Sequence, residues 1–178
     1  MKYSVVVLCL ALLAACGDSE SGTPATSSKT ISTPRTFRVE GAAMLPALQD
    51  GDVVEVLDYG SGSPERGDLV VFQAPTLTER EFVKRIIGLP GETVEIDEST
   101  GAVRVSGQVL SERYVQGTNS CSQACTWTVP PADSTEARTL CGSDRCFFVL
   151  GDNRQNSSDS RQGWLVPAEN ILGFVEFD

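Results

Sequence analysis

The stretch Arg66–Asp97, RGDLVVFQAPTLTEREFVKRIIGLPGETVEID, decides the fold class. Short runs rich in Val, Ile and Phe occur at Leu69–Phe72, Phe82–Ile87 and Thr93–Asp97, and Arg66-Gly67-Asp68 and Leu89-Pro90-Gly91-Glu92 between them have turn chemistry. β-Branched and aromatic side chains suit a pleated, half-buried surface, whereas Gly and Pro end it. Outward from this stretch the same texture recurs at Val53–Leu57, Val103–Val105, Phe147–Leu150 and Leu172–Phe177, with a further turn at Ser106-Gly107-Gln108. No segment sustains a helical period. Short, closely spaced strands without helices predict an all-β domain over residues 37–178, a barrel or a sandwich.

An insertion at about residues 116–146 carries Cys121, Cys125, Cys141 and Cys146, together with Trp127 and Pro130-Pro131. Two disulfides and a four-thiolate zinc site both suit the C-x3-C and C-x4-C spacings, and four cysteines allow three pairings. The N-terminus favours disulfides, because it reads as an export signal into an oxidising compartment. Lys2 precedes the apolar run Val5–Ala15, which is too short for a membrane span of about 20 residues. The run ends in Leu13-Ala14-Ala15-Cys16, which resembles a lipobox and implies acylation of Cys16. Residues 1–15 are thus read as a lipoprotein signal peptide. Residues 16–36, rich in Ser, Thr, Gly and Pro, have too little apolar surface to order themselves and are read as a flexible, lipid-anchored tether.

The net charge of -10 would repel phosphate backbones, so nucleic acid is not expected as a partner. The chain contains no histidine. That removes Ser-His-Asp and Cys-His catalysis and His-ligated zinc or haem. Neither a metal nor a cofactor is expected.

Three tracts hold side chains with chemical potential. In Glu81–Ile87, EFVKRII, alternation places Phe82, Lys84 and Ile86 on one strand face, where desolvation would lower the lysine pKa and make it a general base. A lysine that snorkels to the strand edge has the same pattern. Gly151–Arg161, GDNRQNSSDSR, follows a predicted strand and supplies Asp152, Asn153, Arg154, Ser157, Asp159 and Arg161. It reads either as a solvated loop with Asx turns or as a set of groups that orient a buried lysine. Val39–Asp52, VEGAAMLPALQDGD, makes a turn before a strand and contains no nucleophile.

Taken in order, these tracts resemble the type I signal peptidases, the serine–lysine peptidase family. Gly41–Leu48 with Gly51-Asp52 resembles the nucleophile box, Arg66–Phe72 the second box, Phe82–Glu92 the lysine box and Gly151–Arg161 the last. The resemblance runs from about Phe37 to Glu176 and leaves out the cysteine insertion. It implies a signal-peptidase-like β domain, Lys84 as general base, Ser157 as the hydroxyl holding that lysine, and Asp159 with Arg161 as a supporting ion pair beside Asp152, Asn153 and Arg154. Met44, Leu45 and Pro46 fall on the substrate-binding turn. Ala43 falls on the nucleophilic serine and Ala47 on the usual threonine.

In the family's chemistry the neutral lysine takes the serine proton, the serine oxygen attacks the scissile carbonyl, and backbone N–H groups hold the oxyanion. Alanine cannot form the acyl intermediate. The resemblance therefore implies a pseudo-peptidase in the bacterial cell envelope. Lipid on Cys16 would hold it to a membrane, its folded part outside the cytoplasm, where it would bind extended peptide or signal-peptide-bearing secretory proteins. The alternatives are an active endopeptidase that removes signal peptides and a structural envelope protein.

Overall fold

The computed structural model describes residues 35–75, 77–121 and 125–176, with residues 77–79 described by their backbone. The expected signal peptide, Cys16 and nearly all of the expected tether lie outside these residues. Eleven strands are described: β1 Arg35–Arg38, β2 Val53–Val56, β3 Leu69–Ala74, β4 Leu77–Gly88, β5 Thr93–Ile96, β6 Val103–Val105, β7 Gln108–Val109, β8 Thr126–Thr128, β9 Cys146–Leu150, β10 Val166–Pro167 and β11 Ile171–Val175. They form antiparallel sheets ordered β1-β2, β10-β9-β4-β3-β11 and β7-β6-β5-β8. A bridge between Leu57 and Phe174 ties the end of β2 to β11.

The five-stranded sheet is covered on both faces, which is why β3 and β9 read as nearly unbroken apolar runs. In β3, Leu69 and Val71 pack with Val39, Met44, Leu48 and Val56, whereas Val70 and Phe72 point the other way, towards Ile86, Phe147 and Val149. In β9, Phe148 and Leu150 turn to a third cluster with Ile87, Val94, Val103 and Val129 under the four-stranded sheet. The period of two thus sorts alternate residues into separate cores.

Two expectations are corrected. The domain is mainly β, but each described sheet has two distinct edge strands and none closes on itself, so the barrel does not form. The insertion contains a helix, α1 Thr135–Cys141, capped by the Ser134 hydroxyl, which accepts from the Ala137 N–H, and ended by Gly142 at φ 69°. Two turns are too few to display a period, so the cap residues were its only sequence signal. β1 starts at Arg35, two residues inside the stretch read as tether. β4 reaches back to Leu77 because its polar first half pairs with β3.

The cysteines pair locally, Cys121 with Cys125 and Cys141 with Cys146. Glu98 lies beside the first pair, and among the described residues this is the one cluster of candidate metal ligands. Its two sulfurs are bonded to each other, so the four-thiolate arrangement is not formed. Among the described residues no helix is long and apolar enough to cross a membrane.

Candidate active site

Three segments meet between the sheets. The turn after β1 is fastened at its base, where Val39 N–H donates to Asp52 O (2.8 Å) and Gly51 N–H to Val39 O (2.9 Å). Met44 and Leu48 are sunk in the apolar cluster below. This fixes Ala43, half-buried, at the surface of the turn. The loop after β9 grips the same turn from the far side: Asn153 donates its N–H to Ala43 O and its side-chain amide to Ala42 O, both at 3.0 Å.

The third segment is β4. Its residue Lys84 stands opposite Val70, on the face of Phe82 and Ile86, and is 5% exposed. The ammonium donates to Val83 O (2.8 Å) and lies 5.2 Å from the centre of the Phe82 ring. Burial pushes its pKa down from 10.5 to about 8, against the opposing pull of Asp159 and Asp152. Lys84 therefore holds its proton less tightly than an exposed lysine.

Gly151 lets these segments converge. It follows Leu150, the strand partner of Arg85, and so sits beside Lys84. A methyl group on Gly151 would overlap the Ser157 hydroxyl and lie 2.6 Å from the carbonyl oxygen of Ala43. Gly151→Ala is accordingly predicted to destabilise the domain by about 1–3 kcal/mol through overpacking. Urea unfolding measures this, and Gly151→Ala/Ser157→Gly should recover part of the loss.

Around this centre the buried charges are paired in full. Arg85 makes a two-pronged bond to Asp152 (2.9 and 2.6 Å), donates to Gly67 O and lies 4.0 Å from the centre of the Tyr114 ring. Arg154, 1% exposed, binds Glu112 and Asn119 and donates through Nε to Gly151 O (2.9 Å). Asp159, fully buried, accepts two bonds from the Arg161 side chain and one from Gly151 N–H. Gln116 N–H donates to Asp152 O and Arg154 N–H to Gln116 O, so the segment leading into the insertion is laced to the loop.

In front of Ala43 and Lys84 lies a cleft of about 680 Å³, walled by Thr36–Gly41 on one side and Arg80–Val83 on the other. Among the described residues both walls present free strand edges: β1 pairs only with β2, and β9 joins β4 only from Arg85 onward. An Arg35–Glu81 ion pair spans from one wall to the other.

Residues 19–178 match the family described as "Signal peptidase, peptidase S26". This chain belongs to the signal peptidase family. It is 40% identical to signal peptidase I of Leptolyngbya laminosa over 156 residues, covering 78% of this chain and 68% of that protein. It is 37% identical to probable signal peptidase I-1 of Synechocystis sp., covering 76% of this chain and 65% of that one. Signal peptidase IB of Staphylococcus aureus is 34% identical, with 84% and 78% covered. The crystal structure of a signal peptidase I from Enterococcus faecalis aligns at 31% identity with a TM-score of 0.46, over 64% of this chain and 97% of that one.

Within this signal peptidase domain, Ala43, Met44 and Lys84 line the cleft, whereas Leu45 and Pro46 do not. Met44 is 1% exposed and serves mainly as a core anchor for the turn. The Ser157 hydroxyl, expected to hold Lys84, has no hydrogen-bond partner among the described residues, and Ser157 borders a separate hollow with Arg154, Asp159 and Arg161. Sequence reasoning passed over Gly151, Arg85, Glu112, Tyr114 and Asn119. Arg85 was signalled by strand alternation, which sends it to the face opposite Lys84; the pairing of Glu112 with Arg154 spans 42 positions and has no local signal.

The lowered Lys84 pKa has a measurable consequence. Lys84→Met is predicted to stabilise the fold by about 3 kcal/mol below pH 8, at roughly 1.4 kcal/mol per pKa unit. Between pH 8 and 10.5 the folded protein has released this proton while the unfolded chain still holds it, so wild-type stability rises with pH and the advantage of methionine fades. Paired urea titrations of both proteins across that range check the sign.

Proposed function

We propose that the cleft receives the extended cleavage region of a signal-peptide-bearing exported protein and holds it without cutting it. The observation that carries this reading is the pair of free strand edges, β1 and Arg80–Val83 of β4, facing one cleft that ends at Lys84 and Ala43. A peptide laid between them would add a strand to either edge, a mode of binding that needs no nucleophile. Lys84, desolvated by its surroundings and flanked by a buried charge network, would occupy the place of the base in this reading. Ala43 brings no oxygen to attack a carbonyl, and neither Ala42 nor Leu45 replaces it. In this reading the domain stands outside the cytoplasm, tethered by lipid on Cys16.

The second reading is an active peptidase that removes signal peptides. It is favoured by identities of 34–40% to proteins named as signal peptidases and by the unpartnered hydroxyl of Ser157 beside the Ala43 carbonyl. Ser157 is absent from the residues lining the cleft, so the loop would have to rearrange before that oxygen met a substrate. Purified wild type should therefore bind a secretory precursor and leave it intact on gels. Cleavage by the wild type supports the peptidase reading, and failure to bind the precursor defeats both.

A further inference from the structure

We propose that the cleft selects extended peptides that carry acidic side chains, and that Arg38 and Arg80, one on each wall, are the residues that read them. The inference rests on the peptide-binding reading above and adds the chemistry of the ligand. Both arginines line the cleft and both are exposed. Among the described residues neither takes part in an ion pair, whereas Glu81 on the lining is neutralised by Arg35 beside the cleft. The remaining charges on the cleft lining are Lys84 and Glu40, so three positive groups face one unpaired carboxylate. The cleft is thus cationic within a chain whose net charge is -10. A recess of one sign between low-dielectric walls concentrates ligands of the other sign, and a guanidinium takes a carboxylate through two parallel bonds. A lipid headgroup would also satisfy the arginines, but it has no backbone to pair with the free edges of β1 and β4.

Fluorescence anisotropy with the full folded domain tests this. The probes are a labelled Ala-x-Ala peptide flanked by Asp and Glu, the same peptide with Asn and Gln, and a third with Lys. The acidic peptide should bind about tenfold more tightly than the neutral one at low salt, and the difference should shrink as salt rises. Arg38→Gln/Arg80→Gln, shown to be folded by circular dichroism, should abolish the preference for the acidic peptide, whereas Arg113→Gln, outside the cleft, should leave it intact. Equal binding of all three peptides, or a preference that survives the double substitution, overturns the charge inference and leaves the peptide-binding reading standing. Loss of binding to phosphatidylglycerol vesicles with an unchanged peptide ranking overturns it in favour of a lipid surface. No binding of any peptide overturns both readings together.

Discussion

Ala43→Ser is expected to cleave a signal-peptide-bearing precursor that the wild type leaves intact, raising turnover at least about 10³-fold. Loss of a nucleophilic serine in a serine protease costs on the order of 10⁶, so this gain is only part of what the position can contribute. Ala43 and Lys84 line the same cleft, and burial already lowers the pKa of that amine to about 8. A hydroxyl there would meet a base whose neutral form is accessible, so the rate should climb as pH rises through 8. Lys84→Ala in the revertant should abolish the gain, and Ala43→Ser/Ala47→Thr should exceed Ala43→Ser alone if the threonine steadies the turn. Equal cleavage by wild type and revertant would reveal another nucleophile. Silence from both revertants, with their folding verified, would mean that the cleft no longer aligns a peptide for attack.

The largest effect on stability is expected at Asp152. Its carboxylate is fully buried and held by both prongs of Arg85, so Asp152→Ala leaves a guanidinium inside the protein with no counter-charge. Removing one partner of such a pair costs about 3–5 kcal/mol. At roughly 2–4 °C per kcal/mol for a domain near this size, the melting temperature should fall by about 10 °C. The double substitution Arg85→Met/Asp152→Ala removes both charges and should be less destabilised than Asp152→Ala alone, a coupling that a double-mutant cycle measures directly. A loss below about 1 kcal/mol for Asp152→Ala would show that water or another residue replaces the missing charge.

What was legible in the sequence follows the reach of each interaction. The strands of the central sheet were readable because β3 and β9 are apolar on both faces, and a local run of Val and Phe says so without tertiary information. The face of Lys84 was readable for the same reason, since alternation along Phe82–Ile86 is a local rule. β1, β7, β8 and β10 were not, since they are two to four residues long and are specified by the neighbour they pair with. Barrel and sandwich could not be told apart because closure depends on which strands meet. The charge network was half legible: Asp159 and Arg161 are two positions apart, whereas Arg85 and Asp152 are separated by 67 positions. Nor did any local pattern disclose that Gly151 is needed for the close approach of Ser157 and Ala43.

The unpaired edges of β1 and β4 have another consequence. An open edge is a template for any extended chain, a second copy of this protein included, and natural sheets guard such edges against aggregation with charge. Arg35, Arg38 and Arg80 stand along these two edges. Two copies docking edge to edge along β1 would bring the unpaired Arg38 of each together, beside the Arg35–Glu81 pairs. The charges that border the cleft would therefore also oppose pairing of this edge with a second copy. Neutralising them for crystallisation or solubility work would expose a strand ready to polymerise.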